Sequence, residues 1–163
     1  MSLKDLQDLN IHHDNLNIRC NNLTVDGIFN HQGQSGTHIT SWTNAFTSPI
    51  SGDIQYVINT NIITLFIPPI IGSLVNTNQY MLTTVNLPLQ LRPTVTRYDL
   101  IGTFVDSPSG IIPSVGAFEI DTNGAIKIYY NSIANINSEF KGSNVNYGGR
   151  PCGTNGGAIT YIL

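Results

Sequence analysis

His12 and His13 stand side by side a short distance before Cys20, and imidazole and thiolate are the ligands that zinc and its neighbours favour. On a strand, however, adjacent side chains leave opposite faces. The two histidines therefore do not converge on one ion, and the segment reads as polar surface. Cys152 is the obvious candidate nucleophile, but its loop, Gly148 to Gly157, holds no His or Asp to act as a base. The same glycine-rich loop lacks the Gly-Lys-Ser/Thr ending that grips a phosphate. Glycan hydrolysis needs two carboxylates facing one cleft, and among 10 Asp and Glu no pair stands out. Asp121-Thr122-Asn123-Gly124 opens like a calcium loop, yet Ser132 stands where the bidentate Glu would bind. The expectation is a chain with no catalytic residue, no metal and no cofactor, hence not an enzyme.

Binding is the remaining role. A surface rich in Asn, Thr, Gly and Tyr suits carbohydrate, because amides and hydroxyls offer paired donors and acceptors and an aromatic ring offers a platform for a sugar face. Asn144, Tyr147, Arg150 and Asn155 are the candidate ligand-binding residues on this reading. The alternative is an ordinary solvated loop.

Composition sets the frame for these residues. The 163-residue chain carries only 10% charged residues at 40% hydrophobic, against about 25% charged in ordinary soluble domains. Asn, Thr, Ser and Gly take the place of charge, which disfavours helix and suits strands and turns. Net charge is −3 and the seven Lys and Arg are scattered, so phosphate-backbone binding to nucleic acid has little to work with. The apolar run Ile62 to Ile71 is broken by Pro68 and Pro69 and is too short to span or insert into a membrane. The start has no apolar core of the kind a signal peptide needs. Cys20 and Cys152 lie in segments of different character and are read as free thiols, with a long-range or intersubunit bridge as the alternative.

The elements that must position these residues begin with a repeat. Leu9-Asn10-Ile11, Leu16-Asn17-Ile18 and Leu23-Thr24-Val25 recur every seven residues. A coiled coil needs apolar residues three and four apart; here they are two apart, the spacing of one strand face. Leu9, Ile11, Leu16, Ile18, Leu23 and Val25 are therefore assigned to a trimerisation stalk of short β-strands over residues 1–32. Such strands bury too little alone and must wind around copies of themselves; an irregular arm is the alternative. Gly33 to Gly36 reads as a hinge, and residues 37–163 as an all-β head.

In the head, strands are expected near His38–Thr47, Ile54–Asn59, Ile62–Ile67, Tyr80–Asn86, Tyr98–Val105, Val115–Asp121, Ala125–Tyr130 and Ala158–Leu163. That number without a helical period indicates a β-sandwich or jelly roll. Phe118 and Ile120 should face Ile126 and Ile128 across a tight Asn123-Gly124 turn. The final strand, being so apolar, is expected at the centre of its sheet or near a symmetry axis.

Taken in order, Leu23-x-Val25-x-Gly27, Trp42, Leu87-Pro88 with Pro93, the Asn-Gly hairpin and the glycine-rich loop before Ile159-Thr160-Tyr161-Ile162 resemble the C-terminal head domains of phage and giant-virus fibre proteins. These include the collagen-like surface proteins of giant viruses and their virophages. No Gly-X-Y repeat is present. The resemblance implies a homotrimeric jelly-roll head similar to tumour-necrosis-factor-like architecture, displayed on the virion surface and attaching to a host glycan or receptor. Two alternatives stay open: a purely architectural fibre tip or minor capsid protein, and a secreted lectin-like or cytokine-like β-sandwich.

Overall fold

The computed structural model describes residues 33–133, 136–141 and 147–163. The stalk residues Leu9 to Val25, His12, His13 and Cys20 lie outside the described residues, as does Asn144. In chain order the strands are β1 (Gln34–His38), β2 (Ser41–Asn44), β3 (Ile50–Ser51), β4 (Ile54–Asn59), β5 (Ile62–Ile67), β6 (Ile70–Ser73), β7 (Asn78–Gln79) and β8 (Met81–Thr83). They continue as β9 (Arg97–Ser107), β10 (Gly110–Ile120), β11 (Ile126–Tyr129), β12 (Asn131–Ile133), β13 (Ile136–Ser138), β14 (Phe140–Lys141), β15 (Pro151–Thr154) and β16 (Gly157–Ile162). A single 3-10 turn, Leu89–Leu91, is the only helical element among the described residues.

The head is all-β, as composition requires. A four-stranded antiparallel sheet runs β1-β4-β5-β16, and an eight-stranded sheet runs β3-β2-β8-β11-β10-β9-β15-β6. Alternation decides which side each strand buries: in β5, Ile63, Leu65 and Ile67 are buried while Ile62 and Phe66 are exposed. Ile159 and Tyr161 of β16 do the same beside it. The large sheet answers with Trp42, Met81, Ile101, Val105, Phe118, Ile120, Ile126, Ile128 and Cys152, and together they form one core. Trp42 is fully buried, and its indole N–H donates to the Gly52 carbonyl at 2.9 Å, so its one polar atom is satisfied.

Period-two reading located β4 and β5 at their observed bounds, and Phe118 faces Ile128 as Ile120 faces Ile126. Several expectations need correction. Gln34, Ser35 and Gly36 are not a hinge: they pair with Ile58, Val57 and Tyr56 in β1, so the head begins ahead of residue 37. The β10–β11 connection is a five-residue loop in which only Gly124 takes positive φ, at 85°. Asp121 shapes this loop, its Oδ1 accepting the amides of Asn123 at 2.9 Å and Ala125 at 3.0 Å. The carboxylate thus organises its own backbone as an Asx turn. Among the described residues strand β16 pairs only with β5, and there it forms an edge of its sheet rather than its centre.

The glycine-rich loop holds the largest surprise. Its middle, Pro151–Thr154, is β15, wedged between β9 and β6 with Cys152 and Thr154 fully buried. A Cβ on Gly153 would stand 2.1 Å from the Ile70 carbonyl oxygen and 3.1 Å from the Phe104 ring. Glycine is there for close packing, not for flexibility.

Candidate functional site

Strands β9 and β10 form a long hairpin whose two-residue tip is Pro108-Ser109. Proline fixes one φ and Gly110 supplies the other demand, a φ of 112°. Ser107 pins the tip: its hydroxyl donates to the Gly110 carbonyl at 2.8 Å and accepts the Ser109 amide at 3.2 Å. Behind this tip lies an open depression of about 390 Å³ lined by Ser107 to Ile112 and by Tyr147.

Tyr147 reaches it from a turn of its own. The Arg150 amide donates to the Tyr147 carbonyl at 3.1 Å, with Gly149 at φ 76° between them. The turn is fastened to the loop after β6, where Gly149 N–H donates to the Leu74 carbonyl and Leu74 N–H to the Arg150 carbonyl, both at 2.8 Å. Tyr147 is half-buried and packs on the core. Tyr130 stands nearby, its ring tilted on Phe140 at 5.4 Å and its hydroxyl directed to the Ile112 carbonyl at 3.4 Å. Burial, and then the neighbouring Tyr147, push the Tyr130 phenol above its ordinary range, so it stays neutral. Arg150 flanks the group outside the lining of the depression and makes a long contact to Asp106, 3.8 Å, in which both side chains remain partly exposed.

Of the four expected ligand residues, the structure brings Tyr147 and Arg150 together. Asn155 is not with them. It sits at the far end of β15, its amide bound to the Gly102 carbonyl at 3.2 Å, and five residues of extended chain place it about 16 Å from Arg150. Alternation in the sequence ends one strand at Val105 and opens the next at Val115, which leaves out the serines and isoleucines of the β9–β10 tip. The Ser107-Pro108-Ser109-Gly110 string is a strong turn signal and could have located the tip.

This arrangement offers an aromatic face, hydroxyls and a partly engaged guanidinium to a polar ligand. Cys152 offers no nucleophile: it is fully buried, and burial pushes its thiol up to about 12. Among the described residues no group of three or more His, Cys, Asp and Glu is placed to hold a metal. Nor is any helix among them long and apolar enough to cross a membrane.

No protein-family model matches the chain, and no curated protein does. Among solved structures the fold is similar to the crystal structure of a reovirus attachment protein, sigma1, in complex with alpha-2,3-sialyllactose. The TM-score is 0.53 at 9% sequence identity, covering 81% of this chain and 67% of that one. At that identity the likeness is one of fold.

Proposed function

We propose that this chain is the head of a viral attachment fibre that binds a cell-surface glycan in the depression between Tyr147 and the β9–β10 tip. The observation that carries the reading is that depression: a tyrosine and a hydrogen-bonded, serine-bearing tip lining one hollow on an all-β head. A sugar ring stacks its apolar face on Tyr147 while the exposed Ser109 at the tip takes its polar edge. Arg150, held only at 3.8 Å by Asp106, supplies a cation for an acidic sugar. Likeness in fold to an attachment protein crystallised with a sialylated sugar supports the ligand class. The resemblance to giant-virus and virophage fibre heads supports display on the virion.

The head acts as a homotrimer carried on the Leu9 to Val25 stalk, and several weak sites per head raise avidity without tight individual binding. Catalysis has no part in it, since recognition alone accounts for the groups present. The test is a glycan array with matched sialylated and asialo probes. Tyr147→Ala is expected to lose most of the signal with solution mass and far-UV circular dichroism unchanged, and Arg150→Gln to lose selectivity for the acidic probe. A native chain that binds no glycan, or a Tyr147→Ala variant that binds as well as native, overturns the site.

A further inference from the structure

The outer face of the eight-stranded sheet carries apolar side chains where solvent-facing polar residues would be expected. Ile71 is 57% exposed, Leu100 65%, Val115 55% and Tyr98 62%. Register gathers them into one field. Ile71 lies opposite Gly153, Gly153 opposite Phe104, and Phe104 opposite Pro113, four strands in a row on the same side of the pleat. In the next rows Gly102 faces Val115 and Leu100 faces Ala117. A monomer rarely exposes a contiguous apolar patch above a few hundred Å².

Size and charge together select the occupant. From Tyr98 to Asp106 the field runs roughly 30 Å along β9 and β10, and the four-residue β15 and β6 widen it over roughly 13 Å of that length, a footprint on the order of 400 Å². Standard interfaces take about 800 Å² of accessible surface per partner, so a footprint of this size supplies the apolar centre of such an interface. The formal charges bordering the field are already paired within the chain, Glu119 with Lys127 at 2.7 Å and Asp106 with Arg150 at 3.8 Å. Asp99, on the other side of the pleat, accepts the Leu100 amide at 2.8 Å. A charged partner finds little to answer it here, whereas an identical face brings no repulsion.

The smaller sheet is a poorer choice. Its exposed Phe66 is separated from Ile62 and Ile162 by the Thr64–Thr160 hydroxyl pair at 2.9 Å, with Gln55 and Asn59 alongside.

We infer that the Leu100, Val115 and Phe104 field is the surface through which copies of this chain associate in the head. The inference rests on the homo-oligomer reading above and names its face. Ile111, at the field's rim, also lines the depression, so the ligand site borders the subunit boundary.

The experiment is hydroxyl-radical footprinting of the full chain over a concentration series, with light scattering on the same samples. Where mass exceeds one chain, Leu100 and Val115 are expected to label several-fold less than in the diluted protein, with Phe66 and Ile62 unchanged. Leu100→Glu, at an exposed position that tolerates the charge in a lone chain, is expected to weaken association at least tenfold. Protection of Phe66 and Ile62 instead, or equal labelling throughout with a multi-chain mass, overturns the assigned face and leaves the oligomer standing. A single-chain mass at every concentration overturns both.

Discussion

Glu119 and Lys127 face one another across β10 and β11, and their carboxylate and ammonium meet at 2.7 Å on the outer side of the large sheet. Tyr129 donates its hydroxyl to the same carboxylate at 3.1 Å, and Lys127 sits 5.9 Å from the centre of the Tyr80 ring. Glu119 is almost fully buried beneath these partners. Its hydrogen bonds, chiefly the one to Lys127, hold the ammonium above its ordinary pKa against the opposing effect of burial. Glu119→Gln should therefore cost about 1–2 kcal/mol, more than an exposed pair and less than a dry one. Urea denaturation followed by circular dichroism measures it, and an unchanged midpoint would show the pair to be inert.

Alkaline pH should unfold the head earlier than its acidic composition suggests. Burial pushes Cys152 from 9.0 up to about 12 and raises Tyr161 above its ordinary value, while burial and Glu119 raise Tyr129. Each group stays protonated in the fold while the unfolded chain ionises. The stabilisation is whole below about pH 9 and is lost as pH climbs above it, by up to about 1.4 kcal/mol per pH unit for the buried Cys152 and Tyr161 and by less for Tyr129, whose charge water partly screens. Thermal melts across pH 7 to 11 should show this fall, and Cys152→Ala should delay its onset toward pH 10, where the tyrosines take over. A melting temperature flat to pH 10.5 in the native chain would contradict the assignment.

Two glycines of the same loop should behave in opposite ways. Gly153→Ala drives a methyl onto the Ile70 carbonyl, whereas a Cβ on Gly157 meets only Ile101 at 3.6 Å, an ordinary contact. The first is expected to lose several kcal/mol or fail to fold, the second to change stability by less than about 1 kcal/mol. Comparable melting temperatures for the two variants would return the segment to a flexible loop.

Trp42→Phe removes the indole donor and leaves the Gly52 carbonyl without its 2.9 Å partner in the core. An unsatisfied buried acceptor plus lost volume should cost about 2–4 kcal/mol. Denaturant titration read by circular dichroism checks it, since the variant removes the only tryptophan reporter.

The last strand supplies a further test. Tyr161 is buried and its hydroxyl donates to the Leu91 carbonyl, tying β16 to the 3-10 turn. Tyr161→Phe should cost about 1–3 kcal/mol for the orphaned carbonyl. Removing Tyr161 to Leu163 should abolish folding, because an edge strand that closes the core cannot be cut without exposing it. A soluble, cooperatively melting truncation would refute that role.

Local pattern carried much of the head. Composition fixed its class, and period-two alternation located β4, β5 and the facing pairs of β10 and β11, because each of these is decided by residues close in sequence and by which face must be dry. What the chain could not declare by itself was which distant segments would share a hydrogen-bond ladder. Cys152 and Gly153 look like loop residues until β9 and β6 arrive on either side of them, and Tyr147 becomes part of a site only when the β9–β10 tip is carried to it. Arg150 and Asn155 look like neighbours in sequence, yet the extended β15 between them holds them apart. Strand pairing joins residues tens of positions apart, so the tertiary structure alone determined the depression, the apolar field and the separation of the expected ligand residues.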